Sequence, residues 1–569
     1  MLIPDWLKNY KKTDLNGDIA AGIIVAVVLV PQSMAYGILA ELPPQIALYS
    51  SVLPLIIYAL FGSSRTLAIG PVGLMSLMTG ATLAEVNFIN ASEMISAAHT
   101  LALLVAIALL IMRVARLGAI INFLSHPVIS GFVSASALII ALSQFKHILG
   151  LDIPRGLASY ETLYLILSML NKTNLAAAGL GFASLFVLWW FKKYSERYLT
   201  KMLLNARIIQ FLSKSSPLIA VIISTLVVYQ FNLNTVQQVS IIGGIPPGLP
   251  QLLLPSLAPE LITQLIPNAI LIALIGYLES ISIAKSMASQ KRQKIDSNQE
   301  LTGLSTANFA AAISGGYPVA GGFGRSMVNF SAGANSPLAS IITAILVALT
   351  LIALTPLFFF LPKATLGAII IVAIIPLIDV HAFKEAWSYD RTDAASMIVT
   401  FFSVLIFNVE TGIIAGVILS IALYLHRSSQ PHIAIVGQVD GTEHYRNTLR
   451  HPVKTDEHIL AIRIDENLYF ANTNYLEDTL MRLVADNPAI NHVVLIGSSI
   501  SFIDSSALES LDNIHFRLQQ ANIQLHLTEI KGPVMDKLKK TNFIKQLGEK
   551  NIYLSTHQAM QSLREGTDS

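Results

Sequence analysis

Two charged side chains sit where an apolar chain ought to have none. Glu279 lies inside the run IGYLESISIAKS, and Arg325 lies inside YPVAGGFGRSMVNFSAG (317–333). A charge within a segment of membrane-spanning apolarity is costly, faces the bundle interior or water, and marks a functional position by default. The competing reading is that the two charges neutralise each other and hold helices together. A second clue surrounds Arg325. Its segment and GPVGLMSLM (70–78) each place proline and glycine at the head of a short apolar helix, at comparable points in the two halves of a long hydrophobic region. Short interrupted segments at matching positions point to a transporter's binding site, because broken backbone is tolerated in lipid only against protein or a watery cavity. The positive ends of two such half-helices would seat an anion. Gln32 and Tyr36, four apart just after Pro31, share a helix face where the proline opens the hydrogen-bond ladder. Ordinary interhelical hydrogen bonding is the alternative for that pair. GGFG (321–324) is no phosphate loop, since no Gly-Lys-Ser/Thr follows, and its small residues also suit close helix packing.

Composition says what must position these groups. Of 569 residues, 53% are hydrophobic and 13% charged, where a soluble domain carries about a quarter charged residues. Residues 427–569 nevertheless hold 31 of the 72 Lys, Arg, Asp and Glu. The chain therefore divides into a membrane domain, 1–426, and a soluble tail, 427–569. Apolar runs fall at 20–39, 45–61, 99–112, 120–142, 176–190, 217–228, 262–283, 338–354, 365–377, 394–407 and 412–425. With the two broken segments and the small-residue stretch 301–315, the expectation is about fourteen spans. Several are shorter than a lone span needs, which suits a bundle containing half-helices.

Basic residues set the orientation. Lys8, Lys11 and Lys12 precede the first span, Arg113 and Arg116 follow the fourth, and Lys192, Lys193, Arg197, Lys201 and Arg207 follow the sixth. Lys285, Lys291, Arg292 and Lys294 follow the eighth, while the intervening loops carry few or none. The positive-inside rule puts both termini in the cytoplasm, and no cleavable signal precedes the first span.

In the tail, 458–470, 492–504 and 523–530 read as strands, and 476–484, 506–520 and 533–541 as helices. That alternation argues a small α/β unit able to bury its own core. With no cysteine, disulfides and Cys-ligated metals are excluded, and the histidines show no metal-ligand spacing. HExxH, GxSxG and GxGxxG are absent, so neither an enzyme nor a cofactor is expected. A net charge of +2 without a basic, aromatic-interleaved run gives no sign of nucleic-acid binding.

Several long blocks, VPQSMAYGILAELPP (30–44), GSSRTLAIGPVGLMSLM (62–78), LESISIAKSMA (278–288), DSNQELTGLSTAN (296–308) and YPVAGGFGRSMVNFSAGANSPLA (317–339), resemble the signature segments of the sulfate permease (SulP) family of anion transporters. The tail resembles the STAS domain that follows the membrane part there. The resemblance implies two inverted repeats of seven spans, a core and a gate domain, and a homodimer. It places the anion between the half-helix N-termini, bound by Gln32, Tyr36, the amides around Val72 and Gly73, and Gly324, Arg325 and Ser326. Many relatives carry a hydroxyl-bearing residue where this chain has Gly324, and an aromatic one where it has Val72. Glu279 matches the acidic position used by proton-coupled members, whereas sodium-coupled bicarbonate relatives carry aspartate near there. IDSSAL (503–508) resembles the STAS loop whose serine is phosphorylated in anti-anti-sigma proteins, which makes Ser505 and Ser506 candidate regulatory sites. Capping of the following helix by Asp504 and Ser505 is the plainer reading.

The expectation is a polytopic α-helical protein of the inner membrane with a cytoplasmic α/β STAS domain. It would move an inorganic anion, sulfate foremost, with protons by alternating access. Bicarbonate as substrate and sodium as coupling ion stay open, as does a membrane-anchored sensory protein acting through its tail.

Overall fold

A computed structural model describes residues 5–86, 88, 90–118, 125–154, 157–201 and 215–567. Arg207 and the start of the expected span 120–142 lie outside the described residues. The chain divides into two compact units, Met1–Val417 and Ile418–Ser569.

The first unit is helical. Its principal elements are α1 (Leu15–Leu39), α2 (Leu53–Phe61), the short strand β1 (Ile69–Gly70), α3 (Gly73–Ala84), α4 (Ala91–Val114), α5 (His126–Leu149) and α6 (Leu175–Lys201). They continue with α7 (Ser216–Gln230), α8 (Pro259–Gln290), α9 (Ser297–Ile313), β2 (Ala320–Gly321), α10 (Phe323–Ser331), α11 (Leu338–Leu349), α12 (Lys363–Ile374), α13 (Arg391–Ile406) and α14 (Val409–Ser428), within which the division after Val417 falls. Among the described residues, nine helices are long and apolar enough to cross a membrane, while α3 and α7 are shorter apolar helices. The expected apolar runs fall on these helices except 394–407, which falls on α13, and the small-residue stretch 301–315 falls on α9, neither of them among these helices. The run at 338–354 changes to a π-helical turn at Thr350–Leu354, and that at 45–61 divides into Pro44–Tyr49 and α2.

The interruptions have identifiable causes. β1 and β2 pair antiparallel, Ile69 opposite Gly321 and Gly70 opposite Ala320, so each half-helix is entered from an extended strand. Gly70 has φ +142°, a conformation open in practice only to glycine. α3 begins after Val72 and α10 after Gly322, both extended. Freed backbone groups inside an apolar bundle need partners, and polar side chains supply them. Asn308 accepts from Val319 N at 2.9 Å and donates to its carbonyl at 3.0 Å. Gly321 N donates to Ser280 Oγ at 2.8 Å, and Asn329 Nδ2 donates to Thr66 O at 3.0 Å.

Two further buried carboxylates, which the sequence reading passed over, tie down the neighbouring turns. Glu300 Oε1 accepts from Ser63 N, Ser63 Oγ and Ser64 N at 2.8, 2.7 and 2.9 Å, and its Oε2 from Tyr58 Oη at 2.7 Å. Asp18 accepts from Asn335 N, Ser336 N and Ser336 Oγ just after α10.

The second unit carries a six-stranded sheet, β3 (Ile433–Gln438), β4 (Tyr445–Asn447), β5 (Ile459–Ile464), β6 (His492–Ile496), β7 (Gln524–Thr528) and β8 (Ile552–Tyr553). Its order is β4-β3-β5-β6-β7-β8, with β5 to β8 parallel and β3 antiparallel to both its neighbours. Leu460, Ile462 and Ile464 face the core that contains α15 (Thr473–Ala485) and α16 (Ser505–Gln520), while Ile459 and Ala461 face Ala559, Met560 and Leu563 of the last helix. Burial on both faces is why these strands read as continuous apolar runs. The strands are shorter than the expected 458–470 and 492–504.

Candidate functional site

α1, α3, α5, α8, α10 and α12 surround a cavity of about 590 Å³. Both half-helices begin at its wall: Val72, Gly73 and Leu74 line it from one side, and Gly322, Phe323, Gly324 and Arg325 from the other. Gln32, Tyr36 and Glu279 line it as well. Of the residues proposed from sequence for the substrate, only Ser326 is not among the lining side chains. It is fully buried, and its hydroxyl accepts from Ala68 N at 2.9 Å, tying the two strand-to-helix entries together.

Arg325 is 2% exposed. Its Nε donates to Ala68 O at 2.9 Å, its Nη2 to Ala320 O at 3.1 Å, and its Nη1 to Pro71 O. The guanidinium thus fastens the entry of α3 to that of α10, using three of its five N–H groups. The reading in which Arg325 and Glu279 form a neutralising ion pair is corrected: no such pair occurs among the described residues. Backbone carbonyls occupy the guanidinium instead. Glu279 is partly exposed to the cavity, yet its Oε2 is buried without a hydrogen-bond partner.

Gln32 Nε2 donates to Tyr36 Oη at 3.1 Å, as the four-residue spacing implies, and Gln32 Oε1 is buried and unpartnered. A Cβ on Gly73 would lie 3.4 Å from the Tyr36 ring and 3.6 Å from Ile140, so the head of α3 touches α1 and α5 directly. A Cβ on Gly322 would lie 2.9 Å from Arg325 Cζ, whereas one on Gly324 would meet nothing within 4 Å. Sequence reasoning missed the cavity's α5 wall, Phe132, Val133, Ser136, Ala137 and Ile140, and the serine of α8 at Ser282. In the sequence the stretch SGFVSASAL stands only as part of the apolar run 120–142.

In the second unit Asp504 is the N-cap of α16, accepting from Ala507 N at 2.8 Å, and its other oxygen accepts from Phe470 N at 2.9 Å. Ser505 and Ser506 are exposed in the first turn, so capping falls to the aspartate alone. His492 Nδ1 lies 3.1 Å from His526 Nε2. Burial first, then the neighbouring His492, pushes His526 down to about 4. Burial also lowers His492. Among the described residues no group of His, Asp and Glu is placed to hold a metal ion.

A polytopic helical bundle in which two strand-entered half-helices open on one largely apolar cavity with a few polar side chains is the architecture of a membrane transporter. The chain belongs to the sulfate permease family of anion transporters: the Sulfate permease family model matches residues 15–400, and the STAS domain model matches 451–559. It is 36% identical to "Sulfate transporter 4.1, chloroplastic" of Arabidopsis thaliana over 98% of this chain and 81% of that protein. It is 31% identical to "High affinity sulfate transporter 2" of Stylosanthes hamata over 98% and 85%. Among solved structures, the murine Solute Carrier 26 family member A9 anion transporter superposes with a TM-score of 0.90 at 24% identity, covering 99% of this chain and 94% of that one. The transmembrane domain of the cyanobacterial bicarbonate transporter BicA superposes with a TM-score of 0.61 at 21% identity, covering 72% and 97%. These last two likenesses speak for the fold. The protein is a multi-pass membrane protein with a C-terminal STAS domain.

Proposed function

We propose that this chain carries sulfate, or a closely related inorganic oxyanion, across the inner membrane together with protons by alternating access. The observation that carries the reading is the opening of both half-helix starts, Gly73 and Phe323, on the cavity that also holds Glu279. Two helix N-termini supply amide donors and partial positive charge to an oxyanion. Gln32 and Tyr36 would orient it, and Arg325 would hold the two termini at the right separation while leaving N–H groups for the ligand. Glu279, with an unpartnered oxygen at the same cavity, would take up and release the coupled proton. The sulfate-transporter relatives at 31–36% identity favour sulfate over bicarbonate.

In this reading 1–426 is the transport domain with its core and gate, 427–569 is the cytoplasmic STAS domain, both termini are cytoplasmic, and the working unit is a homodimer. Ser505 and Ser506 are accessible positions at which the STAS domain would be modified.

The test is uptake of labelled sulfate into proteoliposomes under an imposed proton or sodium gradient, with bicarbonate as competitor. Glu279→Gln should abolish the dependence on the pH gradient while sulfate-for-sulfate exchange persists. Full pH-driven uptake by that variant refutes the proton role, and sodium-driven uptake by the native chain refutes proton coupling altogether.

A further inference from the structure

We infer that Ser136 is a further substrate-binding residue, donating its hydroxyl hydrogen to an oxygen of the bound oxyanion. This rests on the reading of the cavity as an oxyanion site.

Ser136 lies on α5, lines the cavity and is 2% exposed, and its Oγ has no hydrogen-bond partner. Buried serines and threonines in apolar helices ordinarily turn back to the carbonyl four residues earlier. Several in this bundle do so: Ser184 to Leu180 O at 2.7 Å, Ser280 to Gly276 O at 2.6 Å, Thr343 to Ala339 O at 3.0 Å and Thr400 to Ser396 O at 2.7 Å. Ser134, two residues from Ser136 on α5, pairs with Leu377 O and Asp379 N instead. The hydroxyl of Ser136 does neither. A buried hydroxyl left without a partner costs free energy that a ligand can recover.

Its position supplies the ligand. Phe132 and Ile140, four residues to either side of Ser136, also line the cavity, so the serine stands on the cavity face of α5. Ile140 is the residue that touches the head of α3, 3.6 Å from where a Cβ of Gly73 would be. Ser136 is therefore one helical turn from the contact between α5 and the first half-helix. The opposite half-helix carries Gly324 at the cavity wall with open space above it, and so offers no side-chain donor there. A hydroxyl from α5 gives the cavity a neutral donor that the α10 side lacks.

The probe is sulfate, titrated into the purified full-length protein, with uptake kinetics in liposomes alongside. Ser136→Ala should weaken sulfate binding about tenfold, as loss of one hydrogen bond to a charged ligand implies. KM should rise by a similar factor while turnover at saturating sulfate and the melting temperature stay put. Ser136→Thr, which keeps the hydroxyl, should restore most of the affinity. Unchanged sulfate affinity in Ser136→Ala overturns the assignment while leaving the transport reading intact. So does equal loss in the alanine and threonine variants, since the hydroxyl would then be irrelevant. A folded native protein that binds no sulfate overturns the sulfate reading and this assignment with it.

Discussion

Replacing Arg325 by lysine separates two accounts of the site. If the residue serves as a positive charge, lysine should serve nearly as well. The geometry says otherwise: the guanidinium reaches Ala68 O, Ala320 O and Pro71 O from three nitrogens at once. A lysine ammonium is a single point on a flexible stem and cannot reproduce that fork. Each hydrogen bond from a charged donor contributes about 1.5–3 kcal/mol, and a buried carbonyl left unpaired carries its own penalty. Losing all three in Arg325→Ala should cost about 5 kcal/mol, with the sum reduced because neighbouring bonds are not additive. Lysine keeps one or two of them and should cost about 2–3 kcal/mol. Domain stabilities are of order 5–15 kcal/mol, so both variants should show clearly lowered melting temperatures in detergent. Sulfate titration of whatever remains folded should give an affinity for the lysine variant close to that of alanine, because the separation of the two half-helix heads is no longer fixed. A lysine variant that melts and binds like the native protein would refute this reasoning and leave charge as the residue's contribution.

Gly322→Ala would push a methyl to 2.9 Å from Arg325 Cζ and should cost about 1–3 kcal/mol, whereas Gly324→Ala, with open space at its Cβ, should melt like the native protein; equal melting of the two would disprove the crowding argument. Glu300→Ala strips partners from two backbone amides and two hydroxyls and should lower stability by about 3–5 kcal/mol, read as faster hydrogen exchange across 61–68. His526, held at about 4 against an ordinary value of 6.5, binds fewer protons folded than unfolded. Its contribution is therefore complete above pH 6.5 and lost as pH falls toward 4, by at most about 3 kcal/mol. Hydrogen exchange in β6 and β7 should accelerate over that range in the native chain and much less in His526→Gln.

Much of this site was legible because lipid makes polar residues conspicuous. Glu279 and Arg325 stood out against apolar surroundings, and the prolines and glycines before α3 and α10 announced interrupted helices. What could not be read was which partner each group takes. Arg325 and Glu279 invite pairing by charge, yet the strand entries present carbonyls that the guanidinium reaches first. The β1–β2 pairing joins residues some 250 positions apart, and two-residue strands have no periodicity to detect. Ser136 and Ser326 look alike in sequence, one facing the cavity and the other closing the crossing. Asp18 and Glu300 sit at helix starts, where an acidic residue reads as a dipole or capping group. In the tail, β4 and β8 are too short to show alternation, and β3 and the last helix fell outside the segments chosen.

The crossing of β1 with β2 also bears on how the protein is made. A chain grows from its N-terminus, and domains form as their residues appear. When Gly70 emerges, Ala320 has not been synthesised, so the first half-helix enters the bilayer with an unpaired strand edge and with the carbonyls of Ala68 and Pro71 lacking their guanidinium. Apolar surroundings penalise such orphans heavily, and the gap closes only after some 250 more residues have followed. The nascent first half is therefore the vulnerable species, open to quality-control proteases until the second half arrives. By the same logic, the two halves supplied as separate polypeptides have a built-in means of finding each other: a strand edge and an arginine on the second, and a strand edge and the two waiting carbonyls of Ala68 and Pro71 on the first.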